Sequence, residues 1–230
     1  MESPLSLVAG GTGLVGSHVI KVLSKKPGSQ IILARSFESE IPQNAELQII
    51  NFDSLCSNKV QLKSGIDHVY LCLGKRLSTH ELGYMQHNAR ESFKLIDFDY
   101  SLTIAKLAYD SGARSIALVS AVGAQEGSFN YYFHIKGKLE NEIRKIGYEN
   151  VCFARPGHLL GARKDFRGYE IPILESGLKI AAPFMQGPLM NFRQIEAKRV
   201  AESMVMNLLS RTRGETYLYY KDFLRTDTFE

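Results

Sequence analysis

Apolar positions along this chain follow two periods. Short, nearly continuous apolar runs occur at 5–9 (LSLVA), 30–34, 47–50, 69–73, 116–120 and 150–154, each of a length that suits a strand buried on both faces. Between them the apolar residues recur at helical spacing. Val19, Ile20 and Leu23 continue a helix that Pro27-Gly28 stops, residues 89–110 predict a long helix closed by Ser111-Gly112, and 131–145 predict another. The sixth strand ends at Arg155-Pro156-Gly157. This alternation predicts an α/β fold with a doubly wound parallel sheet. Beyond His158 the pattern loosens around Pro172, Pro183 and Pro188, until 194–209 resumes a helical period. We expect one domain over residues 1–230, with an irregular C-terminal lobe at 158–193. Its apolar residues (Ile171, Ile173, Leu174, Phe184, Met185, Leu189) suit a substrate wall or a homodimer surface equally well.

Composition narrows the class. At 230 residues with 44% hydrophobic content, the chain can fill a substantial core. There is no apolar run long enough to span a bilayer and no secretory signal, so the sequence reads as a cytoplasmic protein without a membrane span. Cys56, Cys72 and Cys152 are odd in number and widely spaced, which suits reduced core thiols. A net charge of +4, scattered among acids, implies no nucleic-acid partner. Lys75-Arg76 and Arg163-Lys164 with Arg167 are the denser basic spots. Each suits a loop that meets a phosphorylated cofactor, or a solvated loop.

The first strand runs straight into Gly10-Gly11-Thr12-Gly13-Leu14-Val15-Gly16 and then a helix, which is how a Rossmann dinucleotide site begins. In such a turn Gly10 permits the sharp reversal, Gly13 lets backbone approach a pyrophosphate, and Gly16 allows close helix–strand packing. The N–H groups at the helix start then face the phosphates. At the end of the second strand stands Arg35, where an acid would bind the adenosine ribose of NAD. Arginine can pair with a 2′-phosphate instead, which favours NADP, or can stack on adenine without reading the phosphate. Asp53 can hold the adenine amino group or cap a short helix at Ser54.

Tyr132 and Lys136 stand four apart on a predicted helix and so share a face, and Ser120 ends the strand before it. A fixed ammonium favours phenolate, so Lys136 is expected to lower the pKa of Tyr132. Tyr132 would then exchange a proton with a substrate oxygen, Ser120 would hydrogen-bond that oxygen, and Lys136 would also hold the nicotinamide ribose. Tyr131 has Ile135 at the same spacing, so the pairing selects Tyr132. Asp97 and Asp99, within the long helix, can position water or the Lys136 ammonium, or can simply face solvent. His80 and His87 have no metal-ligand spacing and no metal is expected. His134, two residues from Tyr132, points away from it, whereas His158 can face the substrate.

Together these residues resemble the short-chain dehydrogenase/reductase superfamily in its atypical branch. Within it, the chain is similar to the Tat-interacting-protein type of oxidoreductase, through GGTGLVG, LARS, LCLG, DFDYSLTIAKLA, SAVGA, YFHIKGKLENEI and FARPGHLLG. The resemblance implies Tyr132 as proton acceptor and NADP contacts at Thr12, Gly13, Leu14, Val15, Arg35, Ser36, Leu73, Gly74, Tyr132 and Lys136, with Leu159 and Arg167 in the looser region. The expected function is hydride transfer between NADP(H) and a small carbonyl or alcohol. The rival readings are a nucleotide-sensing regulator acting through protein partners and, ranked lower, a nucleotide-sugar epimerase.

Overall fold

Seven parallel strands form the sheet that carries everything else, in the order β3-β2-β1-β4-β5-β6-β9. They are β1 (Leu5–Ala9), β2 (Ser29–Ala34), β3 (Ala45–Ile49), β4 (His68–Leu71), β5 (Ser115–Val119), β6 (Asn150–Ala154) and β9 (Gly214–Leu218). The structure, a computed structural model, describes residues 3–57, 60–75, 77–161, 185–210 and 213–225. Leu159–Leu160 (β7) and Ile195–Glu196 (β8) pair in a separate two-stranded sheet. The doubly wound parallel sheet is as expected, and its last strand is an addition: nothing in residues 214–218 (GETYL) has the continuous apolar run of a central strand, because β9 lies at the sheet edge.

Alternate residues of each strand enter opposite apolar layers. Leu7, Ile31, Leu33, Leu118 and Phe153 face one side, where they meet Ile104, Ile135 and Leu139. Val8, Ile32, Tyr70 and Cys152 face the other, against Val19, Ile20, Met204 and Phe223. Helix α1 (Leu14–Leu23) and the later α6 (Ala197–Leu209) cover this second face, and α7 (Tyr220–Leu224) closes it. Helices on both faces explain why the strands read as unbroken apolar runs.

On the first face the chain runs through α2 (Thr79–Gly83) and α3 (His87–Lys94), passes through a π-helical turn at Leu95–Tyr100, and continues as α4 (Ser101–Asp110). The last three form the long helix expected at 89–110, with one widened turn that the sequence period does not reveal. Helix α5 (Tyr131–Ile146) starts on Asn130, whose Oδ1 accepts from the N–H of Tyr132 at 2.9 Å and of Phe133 at 3.3 Å. The Asn130 amide donates to the Leu82 carbonyl at 2.8 Å, tying the start of α5 to the end of α2.

Midway along α5, Gly137 lets the 121–130 loop lie against the helix. A Cβ there would stand 2.3 Å from the backbone carbon of Gln125 and 2.4 Å from the nitrogen of Glu126. Gly137→Ala is therefore expected to lower unfolding free energy by about 2 kcal/mol, the scale of overpacking against unyielding atoms. Gly83→Ala, with open space around it, should stay within about 0.5 kcal/mol. Urea unfolding of the two variants beside the parent checks this.

Candidate active site

Strand order reverses between β1 and β4: the chain leaves β1 toward β2 and β3, then returns to place β4 on β1's other side. A crevice opens beyond the carboxyl ends of strands at such a point. The glycine turn lies there. Gly10 adopts φ +85°, and a Cβ on it would stand 2.5 Å from the Cys72 carbonyl, so the turn is pressed onto the end of β4. A Cβ on Gly16 would meet the Gly10 oxygen at 2.2 Å, so α1 begins directly against the turn. Gly13 is the N-cap and offers no side chain to the helix start, and the first turn carries no acid. An uncapped helix start of this kind is a ready anion site.

Several of the other residues implied for cofactor binding adjoin this turn. Leu73 and Gly74 leave β4 beside it, and a Cβ on Gly161 would touch Leu14 at 2.6 Å, which brings the Leu159 strand to the start of α1. Arg35 and Ser36 are exposed at the end of β2, with the Arg35 guanidinium 5.9 Å from the centre of the Phe52 ring. Asp53 accepts a hydrogen bond from the Tyr100 hydroxyl. The short 3-10 turn at Phe52–Ser57 is instead capped by Asn51, whose side-chain oxygen accepts from the Asp53 N–H at 2.9 Å, so the capping role considered for Asp53 does not hold. Arg167, with Arg76, Arg163 and Lys164, lies outside the described residues, as does most of the irregular lobe.

Helix α5 brings Tyr132 and Lys136 toward the end of β5. Lys136 is 4% exposed; its ammonium lies 2.9 Å from Asp97 Oδ1 and 3.4 Å from the Val119 carbonyl. Asp97, in the π-helical turn, is 2% exposed, and its second oxygen accepts the Lys75 N–H at 2.7 Å. Asp99 pairs with Lys94 at 2.7 Å near the surface. The two acids thus divide the roles considered for them: Asp97 holds the lysine and Asp99 faces outward.

Lys136 exerts the expected lowering effect on the Tyr132 phenol, but burial outweighs it. Burial raises the phenol's pKa above its ordinary value, Lys136 lowers it, and Asp97 raises it again, and the net shift is upward. Burial opposes the Lys136 ammonium, but Asp97 and Tyr132 outweigh that, and its pKa also stands above the usual range.

Ser120 has a partner that local spacing does not reveal. Its hydroxyl donates to Glu140 Oε1 at 2.5 Å, and among the described residues no hydrogen bond joins it to Tyr132. Glu140 is 1% exposed, one turn beyond Lys136 on α5, and is gripped by Arg155 through Nε at 2.9 Å and Nη2 at 2.5 Å. Arg155 also donates to Tyr219 at 3.0 Å. The cluster locks α5 to the ends of β5 and β6 and so sets where Tyr132 and Lys136 stand. It went unnoticed in the sequence, although Glu140 shares the helix face of Tyr132 and Lys136. His134 turns to the Glu126 carbonyl, away from the site as expected, and the carbonyl of His158 anchors β8 by accepting the Ile195 N–H at 2.9 Å. Cys152 is fully buried and Cys72 half-buried, and burial pushes both thiols up to about 12.

The chain is similar to known proteins in sequence and in fold. The sequence pattern of the NAD dependent epimerase/dehydratase family matches residues 6–171. "Protein FMP52, mitochondrial" of Candida albicans is 30% identical over 167 residues, covering 71% of this chain and 70% of that protein. "Protein HTATIP2" of Rattus norvegicus is 26% identical over 172 residues, covering 73% and 67%. A solved structure described as a 2-deoxy-d-gluconate 3-dehydrogenase of Agrobacterium tumefaciens, with bound NADP, superposes with a TM-score of 0.66 at 14% identity, covering 95% and 94%. The cytoplasmic expectation is overturned by the FMP52 relatives, which are named mitochondrial. Lack of an apolar span or secretory signal does not distinguish cytosol from an organelle interior, and among the described residues no helix is long and apolar enough to cross a membrane.

Breaking the buried cluster tests its structural weight. Arg155→Met leaves the buried Glu140 with only the more distant Arg144 guanidinium, 3.6 Å away, and is expected to cost about 3 kcal/mol in chemical denaturation. Lys63→Met, which removes an exposed pair with Glu46, should cost under about 0.5 kcal/mol. With the glycine turn, the Tyr-Lys pair and the sequence match in place, the chain belongs to the NAD dependent epimerase/dehydratase family, whose members use a nicotinamide cofactor.

Proposed function

We propose that this protein is an NADP(H)-dependent reductase of small carbonyl compounds, with Tyr132 as proton donor. The observation that carries the reading is the Tyr132–Lys136 pair on α5, held at the end of β5 beside the β1–β4 crevice where the uncapped start of α1 opens. Those residues fit a dinucleotide: the N–H groups of α1 for the pyrophosphate, Arg35 for a 2′-phosphate, and Lys136 for the nicotinamide ribose.

A bound nicotinamide would supply a hydride to the carbonyl carbon. The chain's own task is the oxygen. Tyr132, protonated at neutral pH, donates its proton as charge builds there, and Lys136 stabilises the phenolate left behind. Hydride and proton together convert carbonyl to alcohol, so the step balances. Ser120, being engaged by Glu140, acts on α5 and does not orient the substrate. Its commitment also favours the second reading, a nucleotide-binding protein that signals through partners, because its one hydroxyl proton is directed to Glu140.

NADPH oxidation across a panel of aldehydes, ketones and quinones separates these readings. A reductase shows turnover that falls at least about 100-fold in Tyr132→Phe, the usual scale of acid–base catalysis, with NADPH binding retained. Binding without Tyr132-dependent turnover supports the second reading. Because the phenol's pKa is raised, its proton-donating form persists up to and beyond pH 10, so turnover should hold through neutral pH and fall only on the alkaline side of that value. Arg35→Asp is expected to weaken NADPH at least about 10-fold while leaving NADH within about 3-fold, read by fluorescence titration, as loss of one phosphate-pairing charge implies.

A further inference from the structure

Asp97 has a place in the fold that stability alone does not explain. A continuous α-helix could run from His87 to Asp110, yet the rod widens into a π-helical turn over Leu95–Tyr100, and Asp97 sits inside that turn. Single π turns within helices recur where a side chain must be presented to a site. One Asp97 oxygen meets Lys136 on α5, and the other meets the N–H of Lys75, next to Gly74, where β4 leads toward the proposed nicotinamide position. A Cβ on Gly74 would lie 3.5 Å from that same carboxylate. The acid therefore joins the proton-donating helix to the loop after β4.

We propose that Asp97 is the positioning residue that fixes the resting charge of the site: by neutralising Lys136 it keeps Tyr132 in the protonated form that carbonyl reduction requires. The inference rests on the reductase reading and adds to it the group that sets the charge beside the proton donor. Among the described residues, the charged and titratable groups facing the pair are few. From α5 come Tyr132, Lys136 and, one turn on, Glu140; from the loop after β4 come the Cys72 thiol and the Lys75 backbone; Lys75's own ammonium is turned to Ser92 at 2.8 Å. On the rod itself Asp99 is occupied by Lys94. Removing the Asp97 charge leaves the lysine acting on the phenol without opposition, so phenolate forms earlier. A site of that kind abstracts protons from alcohols and loses its advantage as a donor.

The test needs neither substrate nor cofactor. Ultraviolet titration near 295 nm reads tyrosine ionisation, and subtracting the curve of Tyr132→Phe from that of the parent isolates Tyr132; the same subtraction is made with Asp97→Asn and Asp97→Asn/Tyr132→Phe, with circular dichroism marking the folded range. The Tyr132 transition is expected to move at least about one pH unit lower in Asp97→Asn, the shift one close charge produces. A transition that stays in place overturns the proposal. Should Asp97→Asn fail to fold with its lysine left buried, Lys136→Met/Asp97→Asn removes both charges at once: a neutralised pair has little net effect on the phenol, so the Tyr132 transition is expected to stay within about half a pH unit of the parent, and a rise of about one unit or more shows a lysine acting unopposed and overturns the proposal. Tyr132-dependent NADPH turnover without any such shift would retain the reductase and remove the role of Asp97. A shift in a protein that turns over no carbonyl would do the reverse.

Discussion

A lysine ammonium at 4% exposure is sustained in this protein by one carboxylate 2.9 Å away, and the site takes its character from that contact. Burying both charges costs several kcal/mol each, and their attraction offsets this only when the geometry is close and the remaining oxygens are satisfied. Both conditions are met, since the second Asp97 oxygen has the Lys75 N–H. Three segments remote in sequence, namely the loop after β4, the π-helical turn and α5, must converge within hydrogen-bond distance for the pair to exist. The ion pair is thus a constraint on the fold as well as on the chemistry.

The surrounding architecture supports that convergence. A parallel sheet covered on both faces ends all its strands at one rim, and there the glycine turn, the exit of β4 and the ends of β5 and β6 come together. Glu140 and Arg155 fasten α5 to the last two, while Asn130 fastens its first turn to α2. With both ends of its functional stretch held, α5 has little freedom to carry Tyr132 away from Lys136's partner. Preorganisation of this kind lets a polar site act in a low-dielectric interior without paying reorganisation during the reaction.

Much of this was legible in local sequence. The apolar runs marked six of the seven strands in the large sheet, Gly10, Gly13 and Gly16 marked the turn, and the four-residue spacing of Tyr132 and Lys136 put them on one helix face. What local spacing could not show was which remote residue answers each polar group. Asp97 and Asp99 look alike in the string DFDY, and only the packed structure buries one and leaves the other half-buried in a pair with Lys94. Ser120 has the right place at a strand end, yet its side chain turns to a carboxylate twenty residues later. The edge strand β9 lacks an apolar run because one of its sides has no neighbour. Compartment, too, is not encoded in the core pattern, as the mitochondrial relatives show.

A crystal structure of the protein with NADP bound tests the central claim most directly. The account predicts the pyrophosphate on the N–H groups at the start of α1, the 2′-phosphate against Arg35, and the nicotinamide ribose on a Lys136 that still holds Asp97. A nucleotide seated away from the β1–β4 crevice, or a Lys136 that leaves Asp97 and points elsewhere, would contradict it.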